Sequence, residues 1–185
     1  MKKAGNGLIA GMALLLIAAG SRLLPHWHNF TAVGAVGLFG AFYYRKQIWA
    51  LLLPLIAMWI SDLILNNWVY SAFNDGFVLF TSTMLYVYLG FTGLVLVGHG
   101  IIKKLNGSRI FAASVLGTIV FFLVTNFGSF LQDPIYPKTA EGLILAFTAG
   151  LPFFWNMLLA NLVYSSIFFG VYYWINEREW SYKSA

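Results

Sequence analysis

Residues 7–24 read GLIAGMALLLIAAGSRLL, an apolar run whose one charge, Arg22, lies near its end. At 1.5 Å per residue the run makes about 27 Å of helix, close to the thickness of a bilayer's hydrocarbon core. Lys2 and Lys3 precede it, and Ala18-Ala19-Gly20 looks like a leader cleavage site, so the run has two readings. A cleaved leader would leave five membrane spans, whereas a retained helix makes six. The run is long for a leader's apolar region, and the sequence predicts a retained first helix.

The rest of the composition agrees with a membrane setting. The chain has 185 residues, of which 60% are hydrophobic and 9% charged, and its mean hydropathy is +0.77. Soluble domains carry about 25% charged residues, so hydrocarbon must solvate most of these side chains. Six helices of about 20 residues use nearly the whole length. The expectation is one membrane domain over residues 1–185, with no soluble catalytic or nucleotide-binding domain and no P-loop. There is no cysteine, and so no disulfide framework or thiolate chemistry. The net charge of +5 does not point to nucleic acid. The basic residues sit in short loops beside apolar runs, where they orient the chain and meet lipid headgroups.

The predicted spans cover residues 7–24, 30–44, 48–65, 77–102, 110–131 and 153–175. The apolar run 141–175 exceeds one crossing and Pro152 divides it, so residues 140–150 read as a short interfacial helix. The expected fold class is therefore an all-α integral membrane protein of six transmembrane helices plus a short interfacial helix before the last span. With the N-terminus inside, Lys2, Lys3, Arg45, Lys46, Lys103, Lys104, Arg109, Arg178 and Lys183 fall on the cytoplasmic side, against Arg22 and Lys138 outside. Such asymmetry supports an even number of spans with both termini cytoplasmic.

That orientation gathers polar residues at the outer helix ends. Arg22, Asp62, Thr125 and Asn126 lie near the ends of outward helices, and Asn29, Thr31, Thr83 and Asn156 near the starts of inward ones. Trp59, Asp62 and Asn66 share one helix face by their spacing of three and four, as do Thr83, Tyr86 and Gly90, and Phe122 with Asn126. Each face joins an aromatic wall to hydrogen-bonding groups, the usual make-up of a small-molecule site. Candidate solute-binding residues are Arg22, His26, Asn29, Trp59, Asp62, Thr83, Tyr86, Asn126, Phe127 and Asn156, with residues 25–29 as a lid. Arg22 and Asp62 also suit a structural ion pair, and Asn126, Asn156 and Asn161 suit interhelical hydrogen bonding. His26 and His28 form an H-x-H pair with no close carboxylate or thiolate to complete a metal site, so no metal or cofactor is expected.

Five strings carry a resemblance: SRLLPH at 21–26, NFTAVGA at 29–35, Ser61-Asp62, FFLVTNFG at 121–128 and LPFFWN at 151–156. Together they resemble a bacterial family of uncharacterised six-helix membrane proteins assigned to transport. That family in turn resembles the substrate-binding (S) components of energy-coupling factor (ECF) transporters. The resemblance implies a bundle in the bacterial cytoplasmic membrane that captures a vitamin or related micronutrient from outside. A separate membrane coupling subunit with two ATPases would drive transport. S components commonly present an Ala-x-x-x-Ala stripe to that subunit, and Gly7-x-x-x-Gly11 is the nearest equivalent here.

The expected function is thus a non-enzymatic capture subunit of an importer, with a small solute and membrane lipids as partners and no nucleic acid. The competing readings are a membrane enzyme acting on lipid or isoprenoid and a non-catalytic assembly subunit. An enzyme would have only Asp62, Glu141, His26 and His28 as acid–base candidates, and they form no recognised catalytic spacing.

Overall fold

The computed structural model describes residues 2–45 and 48–183, with side chains over 7–45 and 48–176. It contains six α-helices: α1 Lys2–Leu23, α2 Val33–Tyr43, α3 Trp49–Ile64, α4 Ser82–Ile101, α5 Gly107–Gln132 and α6 Ala140–Lys183. A π-helical turn, Leu65–Val69, and a 3-10 turn, Ser71–Phe73, extend α3 into the loop before α4.

The chain is a helical membrane protein. Four apolar segments are long enough to cross a bilayer: Trp49–Val69, Ser82–Ile101, Gly107–Gln132 and Ala140–Asn176. The apolar helices Gly7–Leu23 and Val33–Tyr43 are shorter. The second predicted span, 30–44, contracts to the 11 residues of α2. These rise about 16 Å, roughly half of a hydrocarbon core. Yet α2 packs against all five other helices, and every residue from Val33 to Ala41 is buried. A helix that is apolar all round belongs in an interior, and α2 is the axis of the bundle.

The predicted fourth span also contracts, because residues 77–81 are not helical. Asn67 ties this stretch down instead. Its side chain donates to the Val78 carbonyl at 2.8 Å and accepts from the Val78 N–H at 2.7 Å.

The predicted break at Pro152 does not occur. Residues 140–183 form one helix of 44 residues, so there is no separate interfacial helix. Proline removes one helical hydrogen bond, but neighbouring contacts hold the segments on either side in line. Phe147 and Phe154, two turns apart across the proline, both meet the Phe122 ring of α5, with centroids at 5.6 and 5.3 Å. Gly150 lets α5 approach, since a Cβ there would lie 2.1 Å from Asn126 Oδ1.

Contacts between α5 and α6 pair Asn126 with Gly150, Phe122 with Phe154 and Thr118 with Asn161, so the two helices run antiparallel. At about 66 Å, α6 is twice as long as a hydrocarbon core is thick, and its ends overhang the bundle.

The basic loops cluster at one end of the bundle. Arg45 donates to the Ile102 carbonyl at 3.3 Å and Arg109 to the Ile101 carbonyl at 3.1 Å, both at the C-terminus of α4, where cations are favoured. Tyr44 bonds the Gly7 carbonyl of α1 at this same end, and Tyr43 meets Tyr172 of α6. Arg22 lies at the opposite end of α1. Lys46 lies outside the described residues, as do the side chains of Lys2, Lys3, Arg178 and Lys183.

Gly150→Ala is expected to destabilise the protein by about 1–3 kcal/mol, because its Cβ overpacks against an amide already pinned on α5. Gly170→Ala, whose Cβ would meet nothing within 4 Å, is the control, expected to stay within about 0.5 kcal/mol of the parent. Unfolding by sodium dodecyl sulfate in mixed micelles measures both.

Candidate functional site

The last turn of α1 places Arg22 against α3. Its Nη2 lies 2.7 Å from Asp62 Oδ1, with the two side chains only 18% and 13% exposed. Nη1 donates to Ser61 Oγ at 2.5 Å and to the Met58 carbonyl at 3.1 Å. The serine beside it ties the next segment in place: Ser21 Oγ donates to the Ala18 carbonyl at 2.8 Å and accepts the Ala32 N–H at 2.9 Å. This holds the start of α2 beside the end of α1.

The intervening loop is held from three sides. His26 Nδ1 lies 2.6 Å from the Leu24 carbonyl. A carbonyl only accepts, so Nδ1 carries the hydrogen. Asn29 turns the chain with φ of 62°, a left-handed conformation that asparagine tolerates well. Asn156 of α6 donates to the His28 carbonyl at 2.9 Å, and the His28 ring meets Phe153 edge-on at 5.8 Å.

Beneath this loop lies a cavity of about 470 Å³ to which all six helices contribute, α3 through Met58 and α4 through Val87 and Phe91. Arg22 forms one wall, with Thr31 and Gly34 at the start of α2. The opposite wall is a stripe of α5 (Thr118, Phe122, Thr125 and Ser129) facing Phe153, Phe154 and Met157 of α6. Loop residues Tyr70 and Tyr136 close the rim. Several wall groups are engaged within the protein. Thr125 Oγ1 donates to the Phe121 carbonyl at 2.9 Å, and Asn126 Nδ2 to the Phe122 carbonyl at 2.8 Å. Thr118 Oγ1 donates to the Ser114 carbonyl and accepts from Asn161 Nδ2 at 2.9 Å. Asn161 is fully buried, and its Oδ1 faces Gly34, where a Cβ would lie 2.2 Å away.

Of the ten candidate residues, Arg22, His26, Asn29 and Asn126 line this cavity. Asp62 stands behind Arg22 and Asn156 behind the loop, each holding a lining group in place. The other four point elsewhere. Trp59 stacks on Phe80 at 6.4 Å, and Thr83 pairs with Thr81 at 3.0 Å. Tyr86 packs against Gly128, where a Cβ would lie 2.2 Å from its Cγ. Phe127 is 46% exposed and meets Phe130. It follows Asn126 by about 100° around α5, enough to turn it out of the bundle. The stripe of Thr118, Phe122, Thr125 and Ser129 was visible as a spacing of three and four. Nothing local marks Tyr70 or Tyr136, which loops deliver. Among the described residues, no three His, Asp or Glu side chains come together as a metal site.

The chain matches the family of unknown function DUF6580 over residues 2–183. The chain belongs to this family. No curated protein and no solved structure matches it. The site's own chemistry is that of an aromatic chamber with hydrogen-bonding groups and one internally paired cation.

The pair itself makes a measurable prediction. Arg22→Leu should destabilise the protein by about 3–5 kcal/mol by leaving Asp62 buried and unpaired, and Arg22→Leu/Asp62→Leu should recover most of the loss. A double-mutant cycle of unfolding free energies checks it. Additive losses would mean that the two side chains do not interact.

Proposed function

We propose that this protein is a membrane solute-capture component, the substrate-binding subunit of an ECF-type importer in a bacterial cytoplasmic membrane. The observation that carries this reading is the cavity of about 470 Å³ at the Arg22 end of the bundle. Its volume and mixed aromatic and polar wall are those of small-molecule sites. The basic residues Arg45, Lys103, Lys104 and Arg109 lie at the opposite end, which by the positive-inside rule faces the cytoplasm and turns the cavity outward. The loop pinned by Asn156 roofs the chamber and would act as the lid. Energy would come from a coupling subunit with ATPases, since the cavity supplies binding groups and no nucleotide site. On this reading the protein is not an enzyme.

One observation favours the assembly-subunit reading. Asn126, Asn156, Asn161 and Thr125 all bond within the protein, as interhelical polar residues commonly do. Solute binding separates the two. Protein purified in mild detergent should release a small molecule on denaturation, identified by mass spectrometry. Ser129→Trp, which fills the cavity, should carry none while remaining folded. Equal recovery from both proteins would refute the site, and recovery from neither would favour the assembly role.

Orientation has its own check. Cysteine in place of Lys138 should react with an impermeant maleimide on intact cells, and cysteine in place of Lys104 only after lysis. The reverse pattern would turn the cavity toward the cytoplasm.

A further inference from the structure

Building on the solute-binding reading, we propose that the cavity takes an uncharged, ring-bearing solute with a carbonyl oxygen. An intramembrane arginine first brings a carboxylate or phosphate to mind, but Arg22 is already committed. A guanidinium has five N–H donors. Two of Arg22's, on Nη1, go to Ser61 Oγ and the Met58 carbonyl, and one on Nη2 goes to Asp62. Its charge is matched by a carboxylate 2.7 Å away. An anionic solute would have to share Arg22 with Asp62, and like charges crowding one cation disfavour both.

No other Lys or Arg lines the cavity, and no Asp or Glu does. A cation would therefore have no counter-charge there, and an anion would have no permanent one of its own, since the remaining groups of the lining that can turn positive are the loop imidazoles of His26 and His28. Burying an ion without a partner is far costlier than burying a neutral polar group that finds a hydrogen bond.

The groups left over match a neutral guest. The side chains of Asn29, Thr31, Ser129 and Tyr136 line the cavity and have no hydrogen-bond partner among the described residues. All are uncharged. At the start of α2, Ser21 Oγ takes the Ala32 N–H, whereas the N–H of Gly34, which lines the cavity, has no partner among the described residues and is left for an acceptor such as a carbonyl oxygen. Phe121 and Phe122 on α5 and Phe153 and Phe154 on α6 supply ring faces and edges for a flat body.

Three probes of one shape and different charge test the class: indole-3-carboxamide, indole-3-carboxylate and tryptamine. Saturation-transfer NMR on the full chain in maltoside micelles, with empty micelles as the blank, gives each affinity at pH 7. The carboxamide should bind about tenfold more tightly than either ion, and Ser129→Trp should abolish its signal. Asp62→Asn frees the charge of Arg22 and should shift the preference toward the carboxylate. Should that variant not fold, the parent protein's ranking of the three probes decides alone, and binding of either ion as tight as that of the carboxamide overturns the proposal.

If the wild-type protein binds the carboxylate or tryptamine as tightly as the carboxamide, and Ser129→Trp removes that binding, the neutral class is wrong and the solute site stands. If none of the three binds saturably and no solute co-purifies, the solute-binding reading falls and takes this class with it.

Discussion

A helix of 11 residues at the centre of a membrane bundle cannot fill the centre from end to end. α2 rises about 16 Å in a hydrocarbon core of about 30 Å, so roughly half of the axial space must be filled by something else. At the basic end it is filled by α2 itself, packed closely through Ala35, Gly37, Gly40 and Ala41. Small residues matter here because lipid is as apolar as leucine, and helices associate in it through close packing and hydrogen bonds. At the Arg22 end the chain runs from α1 across the top of α2, and the remaining space is the cavity. The position of the site thus follows from the length of one helix.

That dependence explains why the polar groups lie where they do. Above Val33 the bundle has no central helix to bury against, so side chains from the surrounding helices face a space, and polar ones are tolerated there. Below Val33 a buried polar node is Asn161, which bonds Thr118 across to α5 and presses its oxygen on Gly34. Asn161 and Thr118 form the boundary between the packed half and the hollow half. A polar pair at that level fixes the depth of α2 relative to α5 and α6, and so the depth of the chamber.

Much of this was legible in the sequence. Apolar content fixed the membrane class, and the basic loops marked one end. The convergence of Arg22, His26, Asn29 and Asn126 followed from placing polar residues at common levels. The readings that missed did so for physical reasons. The run 30–44 is apolar but, at 15 residues, short for a span, and whether an apolar helix meets lipid or other helices is decided by its neighbours. Pro152 broke the helix by the local rule, and the shared Phe122 contact overrode it from another part of the chain. Trp59, Tyr86 and Phe127 sit at the right height with their rings turned to Phe80, Gly128 and Phe130. Height along a bundle is readable from position in the sequence, whereas rotation about a helix axis is only loosely readable.

The ion pair and the site are not rival explanations of Arg22. A pair this enclosed gains little stability, because removing two charges from water cancels most of their attraction. Stability alone would be served as well by two leucines, so the pair's cost needs another return. What it provides is geometry. With three N–H groups held by Asp62, Ser61 and the Met58 carbonyl, the guanidinium has one remaining edge and no freedom to swing. A flexible cation would collect any passing anion, whereas a fixed, neutralised edge offers directional hydrogen bonds only. On the solute-binding proposal Asp62, which stands behind the cavity wall, is the residue that decides what Arg22 could recognise.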